Sequence, residues 1–94
     1  MKLTYRYTAH GFSGGRMLTN TVSGEWVGFD VGTELVSPNS EVKLTVIQKT
    51  NDTVTIHARY RKKEKTMSVS LLGEETFGNE ANAYGFYCVF AVKD

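Results

Sequence analysis

Apolar and polar residues alternate with a period of two over most of this chain, the mark of half-buried β-strands. Leu3, Tyr5, Tyr7 and Ala9 alternate with Lys2, Thr4, Arg6, Thr8 and His10, which predicts a first strand. Gly11-Phe12-Ser13-Gly14-Gly15 then interrupts it, because three glycines in five residues favour a turn. Arg16 to Val22 reads as a second strand. Ser23-Gly24 is expected as a two-residue hairpin turn, with glycine supplying positive φ. A third strand follows, with Val27, Phe29 and Val31 inward, and this pairing places Leu18 opposite Phe29.

The stretch 32–40 holds the only proline, Pro38, and reads as a loop. Residues 41–49 form a strand with Val42, Leu44 and Val46 inward. Ile47 breaks the alternation there and marks a bulge or a second covered face. A turn at Asn51 to Thr53 leads into Val54, Ile56, Ala58 and Tyr60 on one face. Lys63-Glu64 is the next expected turn, which sets Met67, Val69 and Leu71 opposite Tyr60, Ala58 and Ile56. Residues 73–83 are polar and hold at most one short helical turn, from Asn79 to Ala83.

The segment Tyr84 to Val92 is apolar on both faces. Phe86, Cys88, Phe90 and Val92 lie on one and Tyr87, Val89 and Ala91 on the other. A strand of that kind is expected to be central and covered on both sides. No amphipathic helix of ten residues or more is written anywhere in the chain. The predicted fold is therefore all-β: a single small antiparallel barrel or two-layer sandwich of about six to seven strands. At 94 residues, positions 1–94 make one domain.

Charge narrows the function classes only slightly. Lys and Arg number 11 against 10 Asp and Glu, a net charge of +1, so global charge points neither to nucleic acid nor to an acidic surface. The single cysteine, Cys88, sits in the most apolar strand and reads as a small core residue. With no apolar block at the N-terminus long enough for a signal peptide, and none long enough for a membrane helix, the expected setting is cytoplasmic.

Candidate catalytic groups do not converge. Gly11-Phe12-Ser13-Gly14-Gly15 matches G-x-S-x-G, and Asp30 or Asp52 and His57 follow in the order of a hydrolase triad. The residues after the motif read as strand, however, and the chain is too short for the parallel sheet that supports such an elbow. A glycine-rich hairpin loop explains the match. His10, His57 and Cys88 lack the close spacing of metal ligands, so no metal and no cofactor are expected. Glu74 and Glu75 are adjacent and point opposite ways in an extended chain, which suits a solubilising loop better than an acid–base pair. The protein is read as not an enzyme.

Aromatic residues make up 12 % of the chain, and four of them are candidates for contact with a partner. Trp26 falls out of phase with Val27, Phe29 and Val31, Tyr87 opposes the Phe86–Phe90 face, and Phe12 and Phe77 lie in expected loops. The reading these favour is a non-catalytic protein–protein interaction module: an adaptor, an inhibitor or a self-associating subunit. A second reading uses the basic run Arg59, Arg61, Lys62, Lys63 and Lys65 to hold nucleic-acid phosphates, with Arg59, Arg61 and Lys63 on the outer face beside His57. A third places a small apolar ligand inside a barrel lined by Tyr5, Tyr7, Phe86 and Phe90.

Overall fold

The alternating segments do become strands, and their apolar rows meet in one core. A computed structural model of the chain describes residues 1–37, 42–78 and 86–93, except the side chains of Phe12 and Ser13. Eight strands lie among the described residues: β1 (Lys2–Ser13), β2 (Arg16–Val27), β3 (Glu34–Val36), β4 (Lys43–Lys49), β5 (Thr53–Tyr60), β6 (Lys63–Ser70), β7 (Glu74–Gly78) and β8 (Phe86–Lys93). They form two four-stranded antiparallel sheets, ordered β2-β1-β8-β7 and β3-β4-β5-β6. The architecture is a sandwich and not a closed barrel. No helix occurs among the described residues, and the helical turn expected at 79–83 lies outside them.

Both sheets contribute to a single cluster. Leu3, Tyr5, Tyr7, Phe86, Cys88, Phe90 and Val92 come from the first, and Leu44, Val46, Val54, Ile56, Ala58, Met67 and Val69 from the second. Burying an aliphatic or aromatic side chain of this size stabilises by about 1.5–3 kcal/mol. β8 is interior to its sheet, between β1 and β7, as its composition predicted. Only one of its faces meets a second layer, however. Val89 and Ala91 on the other face floor a shallow groove of about 450 Å³. They are shaded by longer neighbours such as Arg6, Glu25, Glu74 and Lys93. Two-sided burial is thus achieved by flanking side chains where a covering layer was expected.

Four sequence expectations are corrected by the register. First, β1 runs on through Gly11 and Phe12 to Ser13, and the turn is Gly14-Gly15 alone, with φ of +60° and +78°. Both values lie where only glycine is unstrained, as a two-residue hairpin turn requires. Second, Ser23-Gly24 does not turn. Gly24 lies within β2 opposite Tyr5, whose ring crosses it so closely that a Cβ there would sit 2.5 Å from the Tyr5 hydroxyl oxygen. The glycine makes room for a ring, and no bend is needed. Leu18 consequently faces Gly11 and not Phe29.

Third, of the segment read as a strand from Val27 to Val31, Val27 ends β2 and residues 28–31 form an irregular connection between the sheets. Phe29 is buried, but Val27 and Val31 are exposed. Lys49 fixes this connection: its Nζ donates to the Phe29 carbonyl at 3.1 Å and lies 4.8 Å from the ring centroid. Fourth, the β5–β6 turn is Arg61-Lys62 and not Lys63-Glu64. Met67 therefore faces Ile56, and Tyr60 faces Lys63. The bulge expected at Ile47 is present, as a register shift between Val46 and Gln48. Glu74 and Glu75, expected in a loop, open β7.

Candidate binding surface: the free edge and the projecting hairpin

β1 and β2 are twelve residues each, but β8 accompanies β1 only from Lys2 to Ala9. Beyond Ala9 no described residue other than those of β2 pairs with β1. The molecule accordingly measures 47 × 24 × 21 Å, with a radius of gyration of 13.6 Å against about 12 Å for a compact chain of this length. The arm is held internally by cross-strand pairs on its outer face. Thr8 and Thr21 hydroxyls lie 3.3 Å apart, and His10 Nδ1 lies 3.0 Å from Thr19 Oγ1.

β2 forms one margin of the first sheet, and among the described residues it pairs with β1 alone. Its other side is a row of backbone donors and acceptors twelve residues long. Near the arm's tip Met17 and Leu18 are each 55 % exposed, one on each face of the ribbon. Trp26 marks the other end of β2. It is half-buried on the core side and stacked on Tyr5 with ring centroids 4.6 Å apart. The straight passage of β2 through Gly24 puts Trp26 on the core side and not on the outer face.

The remaining predicted contact residues scatter. Tyr87 is half-buried on the outer face of β8, its ring centroid 6.3 Å from that of His10. Phe77 is 3 % exposed, inside β7, and meets Phe86 edge to face at 5.5 Å. It belongs to the core and to no surface. The backbone of Phe12 lies in β1 opposite Met17, while its side chain falls outside the described set. Met17 and Leu18 were missed by the sequence reading. Their one signal is an adjacent apolar pair that breaks the alternation of β2.

The basic run is divided by the β5–β6 register. Arg59 stays on the outer face of the second sheet, where its Nη2 lies 3.2 Å from Glu34 Oε2. Its Nε is buried with no hydrogen-bond partner among the described residues. His57 on the same face lies 3.5 Å from Glu64 and 2.7 Å from Thr66 Oγ1. Lys63 and Lys65 turn to the other face, paired with Tyr60 and Ala58. Lys63 Nζ sits 5.8 Å from the Phe86 ring centroid and Lys65 Nζ donates to the Thr76 carbonyl at 3.2 Å. Arg61 lies in the turn, its guanidinium 5.3 Å from the Tyr60 ring centroid, followed by Lys62. The five charges therefore make no single ridge, and acidic residues neutralise the part that remains on the outer face.

The interior that a ligand barrel would require is occupied by the rings proposed to line it. Tyr5, Tyr7, Phe86 and Phe90 are all buried, and Phe86 lies 3.8 Å from Tyr60 and 6.0 Å from Tyr7 between ring centroids. Cys88 in the same core has its thiol pushed up to about 12 by burial, partly offset by a backbone hydrogen bond from Arg6. Such a thiol is protonated and unreactive at neutral pH. Among the described residues no three His, Cys, Asp or Glu side chains come together, and no helix is long and apolar enough to cross a membrane. The chain matches no family model, no curated protein and no solved structure.

Proposed function

We propose that this chain is a non-catalytic protein-binding module that receives an extended segment of a protein along β2. The observation that carries this reading is the length of the margin: twelve residues of strand whose backbone groups are paired on one side only among the described residues. Open margins of this kind recruit a further strand, main-chain hydrogen bonds supplying affinity and alternate side chains supplying selectivity. β2 is poorly defended against such pairing. It has no proline, and its only charges are Arg16 and Glu25. Leu18 and Trp26 are the apolar anchors, and both lie on the core-side face of the same strand. A buried, protonated Cys88 suits a reducing compartment such as the cytoplasm.

The test is retention of partners from a native extract by the intact protein and by Ser23→Pro. The Ser23 N–H points away from β1, so proline there removes an outward donor and spares the hairpin. The expected outcome is a protein retained by the wild type and lost with the variant, the thermal midpoint being nearly unchanged. Amide exchange in the complex should then show new protection at Thr19, Thr21, Ser23 and Glu25. A bound partner that protects none of these four amides refutes the reading.

A further inference from the structure

The apolar positions of β2 are symmetric about its middle. Reading outward from Val22, polar residues or glycine occupy Thr21 and Ser23, then Asn20 and Gly24, then Thr19 and Glu25. Apolar residues follow at Leu18 and Trp26, and again at Met17 and Val27. A strand with such a pattern is complementary to itself when run antiparallel, which is what an interface across a two-fold axis requires.

Backbone geometry permits the same arrangement. The two-residue turn makes Ser13 and Arg16 a hydrogen-bonded pair, so even-numbered residues of β2 direct their backbone groups at β1. Met17, Thr19, Thr21, Ser23, Glu25 and Val27 direct theirs outward. With Val22 on the axis, outward residues meet outward residues: Thr21 meets Ser23, Thr19 meets Glu25 and Met17 meets Val27. On the core-side face Val22 meets its own copy and Leu18 meets Trp26. The most exposed apolar side chains of the strand, Met17 and Leu18 at 55 % and Val27 at 66 %, each acquire an apolar partner. No like charges oppose one another, since Arg16 falls beyond the paired stretch and Glu25 lies against a threonine.

We infer that two copies of this chain join antiparallel along β2 in this register, making one continuous sheet of eight strands. The inference rests on the proposed use of β2 and names its occupant as a second copy. The arm that projects from each body then lies along the body of the other. Association stops at two, because the opposite margin of the sheet, β7, is backed by β6, whose Lys65 reaches over to the Thr76 carbonyl.

Sedimentation equilibrium from about 1 μM to 1 mM, the range of ordinary self-association, gives the first readout. The expected result is a shift toward twice the chain mass of 10.5 kDa. Register is read by Val22→Cys, which adds a half-buried thiol to a chain whose own Cys88 is buried and inert. Directly opposed residues of a non-hydrogen-bonded pair have Cα atoms about 4.5 Å apart, within disulfide range. Mild oxidation should convert Val22→Cys to a covalent dimer and leave Asn20→Cys largely monomeric. Should Val22→Cys fail to fold, Met17→Glu at an exposed position supplies the alternative, with dimerisation weakened about tenfold or more by a carboxylate set against Val27.

A monomer throughout the series overturns the inference, and so does a dimer that oxidises through Asn20→Cys instead of Val22→Cys. A monomer that still retains an extract protein through β2, lost with Ser23→Pro, overturns the dimer and leaves the strand-binding reading standing. Absence of both dimer and retained partner overturns the two together.

Discussion

The two hairpins β1–β2 and β5–β6 share a two-residue turn and an outer strand at a sheet margin, yet they treat that margin in opposite ways. β6 begins Lys63-Glu64-Lys65, and it leans on β7, where Lys65 is fixed to a backbone carbonyl. Charge and a neighbouring strand together discourage any further pairing there. β2 has one charge near each end and threonines between, and nothing in the described chain lies beside it. The turns differ in the same sense. Gly14 and Gly15 take positive φ without strain, whereas Arg61 holds φ +54° as a non-glycine residue. One hairpin is built into the body, and the other projects from it.

The sharpest break of this comparison is a truncation in each hairpin. Ile56, fully buried in β5, should lose about 3 kcal/mol on Ile56→Ala, while Leu18→Ala in the arm should change stability by less than about 0.5 kcal/mol. Urea midpoints of the two variants decide it, and similar losses would mean that the arm is packed after all. Alkali separates body from arm next. The Cys88 thiol titrates higher folded than unfolded, so its contribution is complete below the unfolded value of about 8.5 and is lost as pH rises toward about 12. Cys88 alone should make stability fall over that window with a slope no steeper than about 1.4 kcal/mol per pH unit, and Cys88→Ala should remove that share, leaving the part due to Tyr5, whose hydroxyl burial also pushes up.

A smaller effect is expected at Gly24. Its Ala variant drives a methyl against the Tyr5 ring and should lower stability by about 1–3 kcal/mol, read by thermal melting. Smallest are the turn exchanges. Gly15→Ala should destabilise by about 1 kcal/mol, and Arg61→Gly should leave stability equal or slightly higher, because the left-handed region penalises every residue with a Cβ. Opposite signs in chemical denaturation sustain the contrast between the two turns.

Where the sequence reading succeeded, each residue's own neighbours carried the information. The core rows of β1, β5 and β8 and the bulge at Ile47 follow from alternation, which is a local property. It failed where a distant residue overrode a local signal. Ser-Gly is a good turn pair, but the Tyr5 ring on the neighbouring strand occupies the space beside Gly24 and keeps the strand straight. Lys63-Glu64 looks like a turn by polarity alone, yet the pairing of Met67 with Ile56 sets the bend at Arg61-Lys62. Phe77 looked loop-borne among glutamates and glycines, and the Phe86 ring claims it for the core. The candidate surface was legible only as a set of aromatics, of which Trp26 alone lies on the free strand.

By itself the order of residues determined that this chain is built of antiparallel strands and that its last apolar segment is interior. Period-two patterning suffices for all of this, since backbone geometry assigns each side chain to a face without reference to the rest of the molecule. Only the tertiary structure decided which strand stands at a margin with nothing beside it. Margin or interior is a relation between strands far apart in the chain, set by how the two sheets close on one core, and no local pattern encodes it.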